Sequence, residues 1–323
     1  MYDTKALIRH AFRISKVRGE SAVRVRVPGG HLQAKHLRII QEVAETFGNG
    51  TVHLTTRQGY EIPGVKLTQL DAIKQHIDGM IREIEGDCGV TLDDAEMGYP
   101  AAGTRNVSSC IGNRVCRFAN CDTTALAHEI EKVIYPNHYH LKVAVTGCPN
   151  DCIKAHTQDI GIVGNIVPEY DEDRCIACEA CVDNCRKKIT NALSMENFTI
   201  TKHPEYCLKC GECILKCPTG ALARGEKVFR VLLGGRTGKR NPRLANTFLD
   251  NATRDIVLQV CRNVYAYIGI YIDRSKPKEH LGYIIDRTGF DTFKSVVLDG
   301  VELDSQVRVV EPDNPGYRYP RRK

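Results

Sequence analysis

Residues 175–185 read CIACEACVDNC, and residues 207–217 read CLKCGECILKC. The two runs share the spacing C-x2-C-x2-C-x3-C, position for position. A cubane iron–sulfur cluster needs four thiolates arriving from different directions. One tight turn supplies three of them, and the fourth has to come from elsewhere in the chain. Two such runs satisfy each other, each giving its last cysteine to the other's cluster. On this reading Cys175, Cys178, Cys181 and Cys217 hold one [4Fe–4S] cluster. Cys207, Cys210, Cys213 and Cys185 hold a second. Structural zinc usually spaces its ligands as two separated C-x2-C pairs, which consecutive triplets fit poorly.

The surroundings of these runs say how they are carried. Residues 169–222 are short, polar and cysteine-rich, with little apolar material for a core of their own. Strand-like apolar segments lie on both sides, Ile160–Val163 before and Val228–Leu233 after, so the runs form a small module inserted into a larger domain. The module departs from the bacterial ferredoxin pattern at one point: Cys217 is followed by Pro218, but Cys185 is followed by Arg186. A positive charge there raises the potential of the second cluster slightly and removes no ligand.

Composition bounds the rest. The chain has 323 residues, enough for two or three domains, with 42% hydrophobic residues and no tryptophan. No apolar run approaches the roughly 18 residues of a membrane span. The N-terminus, MYDTKALIRHAFRISKVRGE, reads as a solvated amphipathic helix, with no apolar h-region of a secretory signal. Fifteen cysteines without an export signal point to metal or redox chemistry in the cytoplasm, not to disulfides. The formal charge of +6 is modest, and thiolates bound to clusters would cancel much of it. No basic stripe interleaved with aromatics marks a nucleic-acid partner.

The first third alternates strand and helix. Ala22–Val27 puts Val23, Val25 and Val27 on one face and Arg24 and Arg26 on the other. Gly29-Gly30 turns the chain into a helical stretch whose stripe of Leu32, Ile39, Ile40, Val43 and Phe47 stops at Gly48. A second alternating run has Val52 and Leu54 on one side, with His53, Thr55 and Arg57 on the other. Thr68, with Asp71 three residues on, opens a helix carrying Leu70, Ile73, Ile77, Ile81 and Ile84. Together these make a compact α+β unit.

Residues 100–165 place two cysteine pairs around a helix near Ala125–Val133 and a strand near His140–Val145. In that strand Leu141, Val143 and Val145 face the core while His140 and Lys142 share the other face. A long helix is predicted from Phe248 to Ile268, with Cys261 a buried structural thiol beside Val257 and Val264. The Pro-rich basic tail PDNPGYRYPRRK is read as poorly ordered.

Cys110 and Cys116 give C-x5-C, and Cys148 and Cys152 give C-x3-C within TGCPNDC. Spacing alone leaves zinc and another cluster open for this set. Its setting resembles the sulfite and nitrite reductases that carry sirohaem coupled to a [4Fe–4S] cluster. The matching segments are VRVRVPGG at 23–30, LTTRQGYEIPGV at 54–65, TRNVSSC at 104–110, VTGCPNDC at 145–152 and LGGRTGKRNPR at 233–243. They stand in the family order and cover nearly all of the chain outside the module.

The resemblance implies an α+β fold class. A sulfite/nitrite reductase ferredoxin-like half-domain would span residues 1–90. A sirohaem and [4Fe–4S] binding α/β domain would span 91–168 and 223–323, and the inserted two-[4Fe–4S] ferredoxin domain 169–222. It implies that Cys110, Cys116, Cys148 and Cys152 bind one cluster, with Cys152 also the axial ligand of the sirohaem iron. Three [4Fe–4S] clusters and one sirohaem follow. Many carboxylates on the tetrapyrrole, and an oxyanion substrate, call for arginine and lysine. Arg24, Arg26, Arg105 and Lys142, with His140 beside Lys142, are implied at the substrate. Arg57, Gly234, Gly235, Arg236 and Arg240 are implied at the sirohaem. Gly234-Gly235-Arg236-Thr237-Gly238-Lys239-Arg240 is not a P-loop, because three residues instead of four precede Gly-Lys and Arg240 follows. Cys88 and Cys121 lie outside the ligand sets and read as plain thiols.

The resemblance is strongest to the sirohaem subunits of anaerobic sulfite reductases, which implies six-electron reduction of sulfite to sulfide. No flavin or nicotinamide site is visible. NADH-linked partner subunits carrying flavin and further iron–sulfur clusters are therefore expected. Longer family members contain two copies of the module and this chain has one, so a homodimer assembling composite sites is a further expectation. A nitrite reductase, and an electron-transfer subunit without sirohaem catalysis, are the alternatives.

Overall fold

Alternation builds the first sheet. In strand β2 (Glu20–Val25) the side chains of Ser21, Val23 and Val25 are buried and those between them are not. It pairs antiparallel with β1 (Phe12–Ile14) and β4 (Tyr60–Lys66), and β3 (His53–Leu54) closes the far edge, in the order β1-β2-β4-β3. Helices α1 (Lys35–Thr46) and α2 (Leu70–Asp87) lay Ile40, Val43, Ile73, Ile77 and Ile81 against Val23, Val25 and Ile62. Each isoleucine so buried is worth about 1.5–3 kcal/mol relative to exposure. The structure is a computed structural model that describes Leu7 and residues 10–92, 106–139, 141–188, 190–238, 242–276 and 279–312.

Two expectations fail in this unit, and the first is the N-terminal helix, since Phe12–Ile14 within that stretch is strand β1. The run from Val52 to Arg57 is not an alternating strand. Only His53–Leu54 pairs, both residues are exposed, and a turn closed by Thr55 N–H to the Gly59 carbonyl at 2.8 Å carries Arg57. The central strand is instead β4, which contains Pro63-Gly64. A bulge accommodates it: the register with β2 shifts between Ser21 and Val23. Gly64 takes φ +81°, and a Cβ there would stand 2.9 Å from Cβ of Asn49.

The larger sheet has the order β12-β11-β10-β7-β6-β5. Strands β5 (Ser108–Ser109), β6 (Val143–Thr146) and β7 (Ile160–Tyr170) are parallel to one another. Strands β10 (Leu222–Leu233), β11 (Asn246–Ala252) and β12 (Arg308–Val309) continue it antiparallel. Helix α3 (Thr123–Ile134) connects β5 to β6, capped by Asp122, whose carboxylate accepts from the amide of Ala125 at 3.0 Å. All four residues of β6 are buried, so this strand is covered on both faces instead of alternating.

The predicted helix from Phe248 is a strand as far as Ala252. Thr253 then caps α6 (Arg254–Tyr271), accepting from the amide of Ile256. Cys261 is fully buried on α6 beside Val257 and Val264, and burial pushes its thiol up to about 12. Helices α7 (Leu281–Thr288) and α8 (Phe290–Val297) complete this layer.

Between β7 and β10 the chain leaves the sheet at Tyr170 and returns at Leu222, and these two residues are paired partners. The excursion contains α4 (Ala180–Lys187), the hairpin β8 (Leu193–Glu196) and β9 (Thr199–Lys202), and the single turn α5 (Glu212–Lys216). Its small core is Cys181, Val182, Ile200 and Leu222. Among the described residues no helix is long and apolar enough to cross a membrane.

Candidate cofactor and anion site

Adjacent parallel strands end side by side, and β5 and β6 use this to bring two cysteine pairs together. Ser109 is the register partner of Val145, so Cys110 and Gly147-Cys148 emerge at the same end. The amide of Cys110 donates to the carbonyl of Val145 at 3.1 Å, and the amide of Gly147 donates to Sγ of Cys110 at 3.1 Å. Cys116 lies in the loop that follows, its amide bonded to the Gly112 carbonyl at 3.0 Å. Gly147 has no alternative, since a Cβ would lie 2.7 Å from Cβ of Ala119. Burial first, and then the neighbouring thiols of Cys116, Cys110 and Cys152, push the Cys148 thiol up. Cys110, Cys116 and Cys148 thus lie in one locality, and Cys152, four residues after Cys148, is exposed. Cys121 is buried beside this set and pushed up to about 12 by burial, then by Cys110 and Asp122.

The inserted segment repeats the arrangement twice. Cys185 from the first run lines one cavity of about 170 Å3 together with Cys207, Cys210 and Cys213 from the second. Cys175 and Cys217 pack against Cys181 in the segment's core. Burial pushes Cys181 up, with Cys217 and Cys178 adding to it. Burial also raises Cys213, to about 12, with Cys210 and Cys207 contributing. Burial acts on Cys217 in the same sense, but the amide of Leu222 and the Thr219 hydroxyl and amide outweigh it and hold that thiol low. Burial holds the thiols of Cys148, Cys181, Cys210 and Cys213 up, and a bound cation would favour their ionisation. Cys185 thus lies with cysteines of the second run, and Cys217 with Cys175 and Cys181 of the first.

Next to Asn106, just before the start of β5, is a polar cavity of about 230 Å3 lined by Arg13, Arg24, Arg26, His53, Thr55, Thr56, Arg57, Glu61 and Asn106. Asn106 Nδ2 ties it to the cysteine strand by donating to the carbonyls of Val27 and Arg57 at 2.8 and 2.7 Å. Gln58, at φ +61°, binds Ser109 through both its amide groups, one residue before Cys110. Asn106 and Gln58 thus tie the loop that carries Arg57 to the strand that leads to Cys110. The guanidinium groups of Arg13, Arg24 and Arg57, with the threonine hydroxyls beside them, suit carboxylates and small oxyanions, which is the chemistry sirohaem and its substrates present.

The predicted basic residues do not all play one part. Arg24 lines the cavity with Nε 2.8 Å from Glu61, which also receives Arg13 at 2.7 Å. Burial raises the Glu61 carboxyl, but the bonds from Arg13 and Arg24 overcome this and hold it below the usual range. Arg26 does not share the face of Arg24. The strand ends at Val25 and Arg26 turns inward, pairing with Glu85 of α2 at 2.8 Å and Glu131 of α3 at 2.9 Å. Its guanidinium closes the back of the cavity and is committed to two carboxylates. Burial, and then Glu85, push the Glu131 carboxyl up, although Arg26 and the amide of Val107 counter them. Arg57 donates to the side chain of Gln158. Lys142 is half-buried just before β6, its amide bonded to Asp159 Oδ2 at 3.1 Å, and does not lie on an outward strand face. Arg105, His140 and Arg240 lie outside the described residues.

The glycine-rich stretch is corrected in part. The amide of Gly234 is taken by the Asp159 carbonyl at 2.8 Å and that of Arg236 by the Arg243 carbonyl at 2.9 Å, so neither receives a cofactor carboxylate. Gly235 permits close packing: a Cβ would stand 2.6 Å from the Gln158 carbonyl. The guanidinium of Arg236 lies 3.5 Å over the ring of Tyr283. Sequence reasoning missed Arg13, Glu61 and Asn106, and also Glu85 and Glu131. The last two sit within the apolar helical stripes beside Ile81 and Ile130, a misplaced charge that the sequence displays.

Comparison with known proteins agrees with this geometry. The family described as "Nitrite and sulphite reductase 4Fe-4S domain" matches residues 101–305, and "Nitrite/Sulfite reductase ferredoxin-like half domain" matches residues 15–79. A subunit of the anaerobic sulfite reductase of Salmonella typhimurium is 42% identical over 309 residues, 95% of this chain and 92% of the relative. The chloroplastic ferredoxin–nitrite reductase of Zea mays is 30% identical over 162 residues, 48% of this chain and 26% of that protein. The crystal structure of dissimilatory sulfite reductase I superposes with a TM-score of 0.64 at 21% identity, covering 91% of this chain and 72% of the other. With the four-cysteine end and the arginine-lined cavity in place, these matches lead to one conclusion: the chain belongs to the nitrite and sulphite reductase 4Fe-4S family.

Proposed function

We propose that this chain is the sirohaem-containing subunit of an anaerobic sulfite reductase, which reduces sulfite to sulfide by six electrons. The observation that carries the reading is the junction of Cys110, Cys116, Cys148 and Cys152 with the arginine-lined cavity through Gln58 and Asn106. The relative of 42% identity, itself part of an anaerobic sulfite reductase, supports the choice of substrate. Those four cysteines would hold a [4Fe–4S] cluster, with Cys152 shared with the sirohaem iron. The inserted segment would be a two-[4Fe–4S] ferredoxin domain spanning residues 169–222. The half-domain would span 1–90, and the sirohaem domain 91–168 and 223–323. When bound, sirohaem supplies an iron for the sulfur of sulfite and a route for electrons to reach it.

The chain's own groups do the remaining work. Arg24, with Lys142 and Arg105, would hold the sulfite oxygens by charge-assisted hydrogen bonds and stabilise charge as each departs as water. Each departing oxygen takes two protons, and Lys142 Nζ, with His140, would pass them in from solvent. Arg57 and Arg236 would meet sirohaem carboxylates. Arg26, locked between Glu85 and Glu131, holds the cavity wall and does not touch the anion. Glu61 sets how much of the positive charge of Arg13 and Arg24 an incoming anion feels. NADH-linked partner subunits carrying flavin and further clusters would supply electrons, in the cytoplasm. Two copies of the chain would complete the composite sites.

Sulfite and nitrite turnover measured in parallel, with a reduced viologen donor, tests the reading. Sulfide formation at a kcat/KM above that for nitrite is expected. A preference for nitrite would move the chain to the nitrite reductases, and no turnover of either by sirohaem-replete protein would leave it an electron carrier.

A further inference from the structure

Asn120 stands between two of the cysteine sites and is bonded toward both. It is 2% exposed. Its backbone amide donates to the carbonyl of Gly147 at 2.7 Å, immediately before Cys148. Its Nδ2 donates to the carbonyls of Gly164 in β7 at 3.3 Å and of Cys210 at 3.4 Å. Its Oδ1 accepts from Nη1 of Arg224 in β10 at 3.1 Å. A primary amide has two N–H donors and one carbonyl, so this side chain is fully engaged.

The turn that Asn120 grips is seated on the larger sheet elsewhere too. The amide of Ile166 in β7 donates to the carbonyl of Lys209 at 2.9 Å, and Lys209 Nζ pairs with Asp250 of β11 at 2.8 Å. Gly211, at φ +74°, allows the approach: a Cβ there would lie 2.6 Å from Cγ2 of Ile166 and 3.2 Å from Oδ1 of Asn120. The first run is held differently. Among the described residues its bonds stay within the segment, with Asp171 N–H to Ala221, Cys175 N–H to Glu172 and Arg174 to the Thr219 carbonyl. Cys178 in that run is exposed.

We infer that Asn120 is a positioning residue, fixing the Cys207–Cys213 turn in register with the Cys148 loop. The module's second site, completed by Cys185, is then the one set against the four-cysteine centre, and the first site faces outward. This rests on the cysteines holding clusters as proposed. No bond is made or broken: one electron lost at the second site is one gained at the four-cysteine centre. Such transfer falls steeply with the gap, so a residue that fixes the gap governs it.

The test uses the full chain purified anaerobically, as wild type, Asn120→Ala and Asn120→Asp, reduced with dithionite. Iron, acid-labile sulfide and the visible spectrum are expected to be unchanged. Magnetic coupling in the electron paramagnetic resonance spectrum between the second site and the four-cysteine centre is expected to weaken. Exchange of the amide of Ile166, which the turn protects, should quicken by about tenfold with the lost hydrogen bonds. Both variants lack the two Nδ2 donors and both should show the change, although Asp keeps an acceptor for Arg224. Unaltered coupling and exchange in variants with full iron content would overturn the inference. If neither variant retains iron, Arg224→Met, which frees Oδ1 of Asn120 from the other side, must show a smaller change of the same kind; none there also overturns it. A wild type without iron would instead defeat the cluster reading itself.

Discussion

Replacing Arg26 by methionine should destabilise the chain severely, and removing its two partners as well should restore it. The side chains of Arg26, Glu85 and Glu131 are only 2%, 1% and 1% exposed, and the ion pairs measure 2.8 and 2.9 Å. Truncating one partner of such a network strands buried charge, at a cost of about 3–5 kcal/mol. Apolar or neutral replacement of all three strands none. The triple variant Arg26→Met, Glu85→Met, Glu131→Gln should therefore lie within about 1 kcal/mol of wild type. Glutamine at 131 keeps an acceptor for the amide of Val107. Urea titration followed by far-UV circular dichroism measures this, since the chain has no tryptophan.

A pH arm follows from Glu131, whose carboxyl is raised by burial and by Glu85. Above the unfolded value of about 4.3 the folded state holds a proton that the unfolded state has released. Wild-type stability then declines as pH rises, until the raised folded value is passed. Glu131→Gln should flatten that decline. A single Arg26→Met variant within about 1 kcal/mol of wild type, or a triple variant as unstable as the single, would refute the clamp and return Arg26 to the anion.

Two further outcomes are expected. Cys185→Ala should remove the cluster of the second run while leaving that of the first, seen as loss of one reduced-cluster signal; loss of the first run's signal instead would contradict crosswise ligation. Glu61→Gln should release Arg13 and Arg24 toward the anion and lower KM for sulfite about two- to five-fold, the scale of a partly exposed ion pair of about 0.5–1 kcal/mol. The wild type should show the same tightening only when pH falls through the lowered value of Glu61. An unchanged KM across that range would remove Glu61 from the site.

Much of this was legible in the sequence where one residue type has one use. Cysteine spacing placed Cys185 with the second run, and both now line one cavity. The flanking apolar segments foretold the paired strands β7 and β10 that carry the module. Local pattern failed where tertiary context took over. The N-terminal stretch reads as an amphipathic helix, yet Phe12–Ile14 within it pairs with β2 as an edge strand. Val52 to Arg57 alternates in sequence and forms a turn, since the sheet edge stops at Leu54. Arg24 and Arg26 look equivalent by period, yet only the second meets buried carboxylates from α2 and α3. Glu61 was invisible as a partner because its two arginines lie far from it in sequence. Nor can spacing show that Gly234 and Arg236 spend their amides on the fold.

A count of cofactors per chain decides whether the cysteines do what their grouping suggests. Protein purified without oxygen and reconstituted with sirohaem should carry three [4Fe–4S] clusters and one sirohaem. Its Mössbauer spectrum should show exchange coupling between the sirohaem iron and one cluster, and Cys152→Ser should abolish that coupling. Iron in the module with no tetrapyrrole bands after reconstitution, or full coupling surviving in Cys152→Ser, would contradict it.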